Sequence, residues 1–474
     1  MLKRTIHTLI RNRNSLLFLT SITLFLGVSC RKDPAVTETA PVLFNITELP
    51  LITLEVSLDE WNRMLGNFDI NPMNDEWIAA NCRFQSPSND IQLDSIAIRI
   101  RGNTSRRRPE GVTGTMHDPV NPDWHHAHFS LNFDEYRTKQ QLGTLEKLNV
   151  KWFKDDPAYV REIYCYDLFQ RFGVWTAPRA SYCKLRIHVK GDDRPAYFGI
   201  YAMIESVGED FIEHRQDYWG KSTGFVWKGG WANAWNADFI QTQSIGVSAA
   251  NLQPALSQYY AYDLKTRKAE LATAKTELLN FIQTLNSKTG AEFKLWIEQQ
   301  MDIPLFLKTY AVNVILGMWD DYWVNGNNFY FYCAPNGKKY FIPYDYDNTL
   351  GTSAILSNAG TQDPLQWGSM NTRPLINKIL QVESWHQLYK SYLKELVDPA
   401  KNYFYVTASK ERITAWHKLI NNHISNDTGE DMFIEDKPAF WGNAPFYRLL
   451  SGNDQGGQNG EANFFTTRAK QISW

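Results

Sequence analysis

Apolar and polar positions alternate through residues 95–101, with Ile96, Ile98 and Ile100 on one side and Arg99 and Arg101 on the other. A period of two predicts a half-buried strand. Phe129, Leu131 and Phe133 repeat the pattern and predict its partner. Residues 51–56 form a β-rich run, and Ser57 followed by Asp59 and Glu60 supplies a helix cap with acids in the first turn. Strands are expected over 182–189 and 197–204, joined by a turn at Gly191, Asp192 and Asp193. A hairpin is expected over 327–333 and 339–342, turning at Pro335, Asn336 and Gly337. The period lengthens after Asp156 and Pro157, where Val160, Ile163, Tyr164, Leu168 and Phe172 predict a helix stopped by Gly173. Helices are also expected from Glu205 toward His214, over 266–285, over 303–318 and through most of 374–422. Residues 106–126, with Pro109, Gly111, Gly114, Pro119 and Pro122, read as a long irregular loop, and 451–460, rich in Gly, Asn and Gln, as a tail. No internal repeat is visible.

The first thirty residues follow a different pattern. Lys3, Arg4, Arg11 and Arg13 precede an apolar run over 16–28, and then come Ser29 and Cys30. A basic region, an apolar region and small residues predict a signal peptide over 1–29. Cys30 after Gly27, Val28 and Ser29 is similar to a bacterial lipidation site, although Gly27 stands where an aliphatic residue is usual. The expected mature protein is exported and held by a lipid on Cys30 to the periplasmic or cell-surface face of a bacterial membrane. A membrane anchor or an ordinary cleaved signal is the plainer alternative. Residues 30–45 read as a tether, 46–400 as the main domain, and 401–474 as a helical extension and tail.

Of 474 residues, 43% are apolar and 21% charged, the composition of a chain with a large core. The 49 basic residues face 51 acidic ones, and cleavage removes four of the basic ones, so no footprint for nucleic acid exists. Cys82, Cys165, Cys183 and Cys333 follow Cys30 without a CxxC spacing, which disfavours a zinc knuckle and suits buried thiols. The polar chemistry concentrates in 319–332 and 341–351, an acid-amide loop, a hairpin and a second acid-rich loop. Two such loops brought together can hold a hard cation that shares its shell with phosphate, with a further acid to orient a hydroxyl. Alternatively, these acids cap turns. His125, His126 and His128 lack a paired acid at ligand spacing, so zinc hydrolysis has little support.

Several motifs carry a resemblance: Arg99 to Arg106, Phe129 to Phe133, Asp156 to Glu162, Ala177-Pro178-Arg179, Gly199 to Glu205, Asn328 to Tyr332 and Pro343 to Asp347. In this order and spacing the chain resembles the CotH (spore-coat protein H) kinase family over roughly residues 50–400. The resemblance implies an α+β, atypical protein-kinase-like fold, with an antiparallel-sheet N-terminal lobe and a largely helical C-terminal lobe. It implies ATP and Mg²⁺ or Mn²⁺ as cofactors, and phosphorylation of an exported or surface protein as the activity. Asp320 matches the catalytic acid, and Asn328, Asp345 and Asp347 match metal-binding positions. The spacing of conventional kinases selects Asn325 instead of Asn328; Asn328, which abuts the strand, is favoured. Arg101, Gly102, Asn103, Ser105, Arg106, Glu205 and Lys228 are the expected nucleotide-binding residues. Relatives carry a Lys just before the strand that begins at Phe129, where this chain has His126, Ala127 and His128. Arg101, Arg106 or Lys228 could supply that charge. Without it, the alternative is a catalytically impaired module that binds a nucleotide, a partner or, through Trp219, Trp227, Trp231 and Trp235, a glycan.

Overall fold

The computed structural model describes residues 43–232, 234–249, 259–352, 359–368, 372–438 and 464–474. The leader, Cys30, most of the tether and the 451–460 tail lie outside the described residues. The first elements are β1 (Leu51–Val56), α1 (Leu58–Ile70), β2 (Ile78–Gln85), β3 (Asp90–Arg101), β4 (His128–Asn132), β5 (Lys147–Lys151), α2 (Arg161–Arg171), β6 (Ala180–Val189) and β7 (Ala196–Glu205). Ser57 caps α1 as its sequence predicts, its Oγ accepting the Glu60 N–H at 3.3 Å.

The seven strands close into a barrel in the order β1-β2-β3-β4-β5-β7-β6. This differs from the expected antiparallel sheet. β1 pairs antiparallel with β2 on one edge and parallel with β6 on the other, Leu54 lying opposite both Cys82 and Ile187. One short strand thus satisfies two edges that an open sheet would leave unpaired. Ile52, Leu54, Val56, Ile96, Ile98, Ile100, Phe129, Leu131, Leu148 and Val150 belong to the barrel's buried core. The opposite faces of β3, β4 and β5 carry Arg99, Arg101, Ser130, Asn149 and Lys151, so the alternation that builds the core also lines up the polar groups on the other side.

Beyond the barrel come α3 (Glu209–Glu213), α4 (Gln216–Trp219), β8 (Phe225–Gly229), β9 (Ile245–Gly246), β10 (Tyr262–Leu264), α5 (Leu271–Ser287), α6 (Gly290–Gln300), α7 (Ile303–Ile315), β11 (Phe329–Cys333), β12 (Lys339–Pro343), α8 (Pro374–Leu380), α9 (Glu383–Leu396), α10 (Val406–Ile424) and α11 (Phe464–Lys470). A second sheet runs β12-β11-β8-β10-β9 and shares a larger apolar core with these helices. The architecture is α+β. α5 starts later than its periodicity suggests, because the Thr266 hydroxyl donates to Gly224 O at 2.8 Å and accepts from Val226 N at 3.0 Å, which ties that residue to the sheet. Glu205 ends β7 and does not open a helix. Cys82, Cys165, Cys183 and Cys333 are free, buried thiols. Among the described residues no helix is long and apolar enough to cross a membrane.

Candidate active site

Lys151 is the last residue of β5, and Glu162 sits in the first turn of α2. The helix start is fixed by Asp156, whose Oδ2 accepts the N–H groups of Val160 and Arg161, each at 2.8 Å. That cap aims Glu162 back at the strand. Its Oε2 lies 2.7 Å from Lys151 Nζ, with the two side chains only 5% and 7% exposed. Lys151 Nζ also pairs with Asp345 and lies 3.5 Å from Asp347 Oδ2. The two aspartates follow β12 and are about one-third exposed, so a buried ammonium meets two acids that remain partly open to solvent.

Asp345 takes a left-handed backbone conformation, with φ of 63°. Its N–H donates to Tyr166 Oη at 3.1 Å, which stabilises a conformation unusual for a residue other than glycine. Tyr344 beside it accepts a bond from Arg101 Nη2 at 2.7 Å. Burial raises the Asp345 carboxyl, but Lys151, Arg101 and Lys228 outweigh it and hold the group down at about 2. Burial, opposed by Lys151 and reinforced by Asp345 and Glu162, pushes Asp347 up to about 8. Lys228, on β8, is lowered to about 8 by burial and by Lys265, with Asp345 and Arg101 also acting on it.

Asp320 stands on the loop after α7. Its Oδ1 accepts from Asn325 Nδ2 at 2.7 Å and Asn327 Nδ2 at 3.0 Å, and its Oδ2 from Asn328 Nδ2 at 2.9 Å. Both Asn325 and Asn328 therefore point at the acid. The neighbouring Asp321 shapes the loop from below. It is buried, its Oδ1 accepts Val324 N at 2.8 Å, and its carbonyl accepts the N–H groups of Asn325 and Asn327. Burial raises Asp320 in spite of its three amide donors, and Asp345 adds to the effect, which places the two acids within electrostatic reach of each other.

Two expected residues are committed elsewhere. Arg106 donates to Gly102 O at 2.7 Å and Asn74 O at 2.8 Å and pairs with Asp75, so it staples the turn after β3 and is not open to a ligand. Glu205 is 1% exposed and accepts from Arg215 at 2.7 Å and Arg179 at 3.0 Å; it is a structural anion. Gly102, Asn103 and Ser105 do form the turn after Arg101. Gly102 has φ of +113°, and a Cβ there would lie 2.5 Å from Ser105 Oγ. Trp219 and Trp227 are core residues, whereas Trp231 and Trp235 are exposed.

A lysine does stand in this cluster: Lys151, which no sequence motif singled out. No lysine precedes Phe129 because His126 and His128 serve the barrel: His126 stacks on Trp152 at 4.3 Å and bonds Phe198 O, and His128 Nδ1 accepts Trp152 N at 2.9 Å. Since Phe129 pairs with Val150, the next strand delivers Lys151 to the place left beside His128. The signal available in the sequence was the alternation Lys147, Asn149, Lys151, running into a helix that opens with Glu162. Among the described residues, the carboxylates of Glu162, Asp345 and Asp347 are the grouping able to hold a metal ion, with one oxygen of each within 4.8 Å of the others. The histidines do not form such a group.

The family model described as CotH kinase protein matches residues 98–454. That span contains Arg101, Lys151, Glu162, Lys228, Asp320, Asp345 and Asp347. No curated protein matches the chain.

Proposed function

The chain belongs to the CotH kinase protein family, and on that premise we propose that it transfers a phosphoryl group from metal-bound ATP to a hydroxyl of an exported or surface protein. The observation that carries the reading is the buried Lys151–Glu162 pair, set against Asp345 and Asp347. A strand lysine held by a helix glutamate, beside a metal-binding aspartate and a separate acid on an Asn-bearing loop, is the set of parts that phosphoryl transfer uses. The site suits a hard divalent cation, because its candidate ligands are all carboxylate oxygens and a compact cation, the Lys151 ammonium, is already seated among them. Asp345 and Asp347 would hold Mg²⁺ or Mn²⁺, while Asn325 and Asn328, the two candidate amides, both bond Asp320. When bound, the cation would neutralise phosphate charge.

The chain's own residues divide the remaining work. Lys151 and Arg101 pair with phosphate oxygens, and Lys228 adds charge from the second sheet. Gly102 to Ser105 bring backbone close to the polyphosphate. Asp320, steadied by three amides, orients the acceptor hydroxyl. The case for an impaired module rested on an absent lysine, and Lys151 supplies that charge. Export and lipidation at Cys30 complete the proposal and are tested by fractionating Cys30→Ala, which should leave the membrane. The direct test of the activity is label transfer from γ-labelled ATP by the full-length chain. Wild type should label itself or a co-purified protein in the presence of Mg²⁺ or Mn²⁺, and Lys151→Met should lower that by about 10²-fold or more. Equal labelling by both proteins would reject the assignment.

A further inference from the structure

The Lys151 ammonium lies inside the cradle that the three carboxylates offer to a divalent ion. Nζ is 2.7 Å from Glu162 Oε2, pairs with Asp345 and is 3.5 Å from Asp347 Oδ2. One oxygen from each carboxylate lies within 4.8 Å of the others. Oxygens that close can surround a single small cation at ordinary metal–oxygen distances of about 2.0–2.6 Å, and a second cation added beside Nζ would meet strong repulsion at short range. Arg101 and Lys228 also act on Asp345, which further limits how much positive charge the pocket accepts.

We propose that Lys151 and the divalent ion hold this cradle in turn, and that Glu162 is a metal ligand once Lys151 has left. In the described state the lysine fills the metal's place, so metal alone must displace an internal cation. A nucleotide triphosphate removes the obstacle, because its phosphates give the ammonium another anion to pair with. Lysine suits such a part, being a compact charge on a flexible stem. The recess that Lys151, Glu162 and Asp347 line extends to Lys154, Asp155, Asp156 and Ala202, so Nζ stands at a small open space and not in close-packed core. Arg101, tied to Tyr344 Oη at 2.7 Å, has no comparable freedom. The metal exchange stands on the geometry alone; the role of nucleotide as the trigger rests on the reading in the preceding section.

The test is a Mn²⁺ titration of the detergent-solubilised full-length chain without nucleotide, read by electron paramagnetic resonance. Lys151→Met should bind Mn²⁺ at least about tenfold more tightly than wild type, and Glu162→Gln added to it should remove most of that gain. Lys151→Met leaves buried acids without their cation, so a second measurement uses wild type. Labelling of Lys151 by an amine-reactive reagent, followed by peptide mass spectrometry, should rise several-fold with saturating Mn²⁺, and should not respond to Mn²⁺ in Asp345→Asn. Mn²⁺ affinity of Lys151→Met no higher than wild type, or wild-type Lys151 labelling indifferent to Mn²⁺, overturns the exchange. Should both Mn²⁺ results hold while ATP neither binds nor changes Lys151 labelling, the exchange survives and the kinase reading falls.

Discussion

Asp320 and Asp345 sit on facing loops but differ in their neighbours, and the difference separates their functions. Asp345 faces cations: Lys151 bonds it, and Arg101 and Lys228 lie close. Asp320 is bonded by three neutral amides and feels the negative charge of Asp345. Asp345→Ala should therefore abolish the metal-dependent rise in melting temperature that ATP produces, a stabilisation of about 2.7 kcal/mol at a hundredfold excess over Kd. Asp320→Ala should keep that shift and lose phosphate transfer. An Asp320→Ala protein that lost both would make Asp320 a metal ligand or a loop cap. Glu205 offers a contrast, because its charge serves stability. Replacing it by Gln leaves Arg179 and Arg215 facing a neutral group at a 1%-exposed position, and should cost on the order of 3 kcal/mol in denaturant unfolding. Nucleotide affinity at temperatures where the variant stays folded should not change.

At the scale of elements, the loop over 106–126 is less irregular than its prolines and glycines suggest. His117 is buried between Glu110 Oε2 at 2.9 Å and Asp192 Oδ1 at 2.7 Å, and Trp61 Nε1 donates to the same Glu110 at 2.7 Å. This clamp ties the loop to α1 and to the turn between β6 and β7. Burial lowers the His117 pKa, but Asp192 and Glu110 outweigh it and hold the imidazole above its usual value. Asp118, next along the chain, adds a further negative charge. A raised folded pKa means that the clamp's contribution is complete below about pH 6.5 and fades as pH rises through the folded value. Limited proteolysis within 106–126 should accelerate from pH 6 to pH 9, and His117→Ala should cut quickly at both. A cleavage rate indifferent to pH in wild type would show that the imidazole carries no charge there. The clamp was not legible from the sequence, since Glu110, His117 and Asp192 meet only after two separate turns fold together. The same limit hid Lys151, whose role depends on register with β4. By contrast, Asp320, Asp345 and Asp347 stand out in short acid-rich runs, and β3, α2, β6, β7 and the β11–β12 hairpin follow patterns set within each segment. β5 and β8 to β10 were missed because they run only two to five residues, whereas β2, eight residues long with alternating burial, left a period-two pattern that went unread. The barrel was missed because a parallel pairing between β1 and β6 leaves no local trace.

For the whole molecule, the described C-terminal residues belong to both cores. Ile434 is buried in the barrel, and Phe464 and Phe465 in the helical core. Residues 432–434 also lie along the start of β7, Tyr197 N donating to Met432 O at 3.0 Å and Ile434 N to Tyr197 O at 3.2 Å. Asp436 accepts the His126 N–H at 2.9 Å. A chain ending at residue 400 should therefore give no cooperative melting transition by circular dichroism. Each buried Ile or Phe lost costs about 2–5 kcal/mol, against a total stability of about 5–15 kcal/mol. A cooperative transition from that fragment would mark the later residues as an accessory. The ring itself sets a timetable for synthesis. β1 emerges from the ribosome early, yet its parallel partner β6 lies more than a hundred residues downstream, and the segment that seals β7 comes about 240 residues after that. Loops of that length make for high contact order and slow closure, and until closure the strand edges of β1 and β6 are open to pairing with other chains. A newborn copy should thus spend its most aggregation-prone interval with the barrel unclosed, and refolding from denaturant should show one late, concentration-sensitive phase in which the whole ring and its C-terminal seal form together.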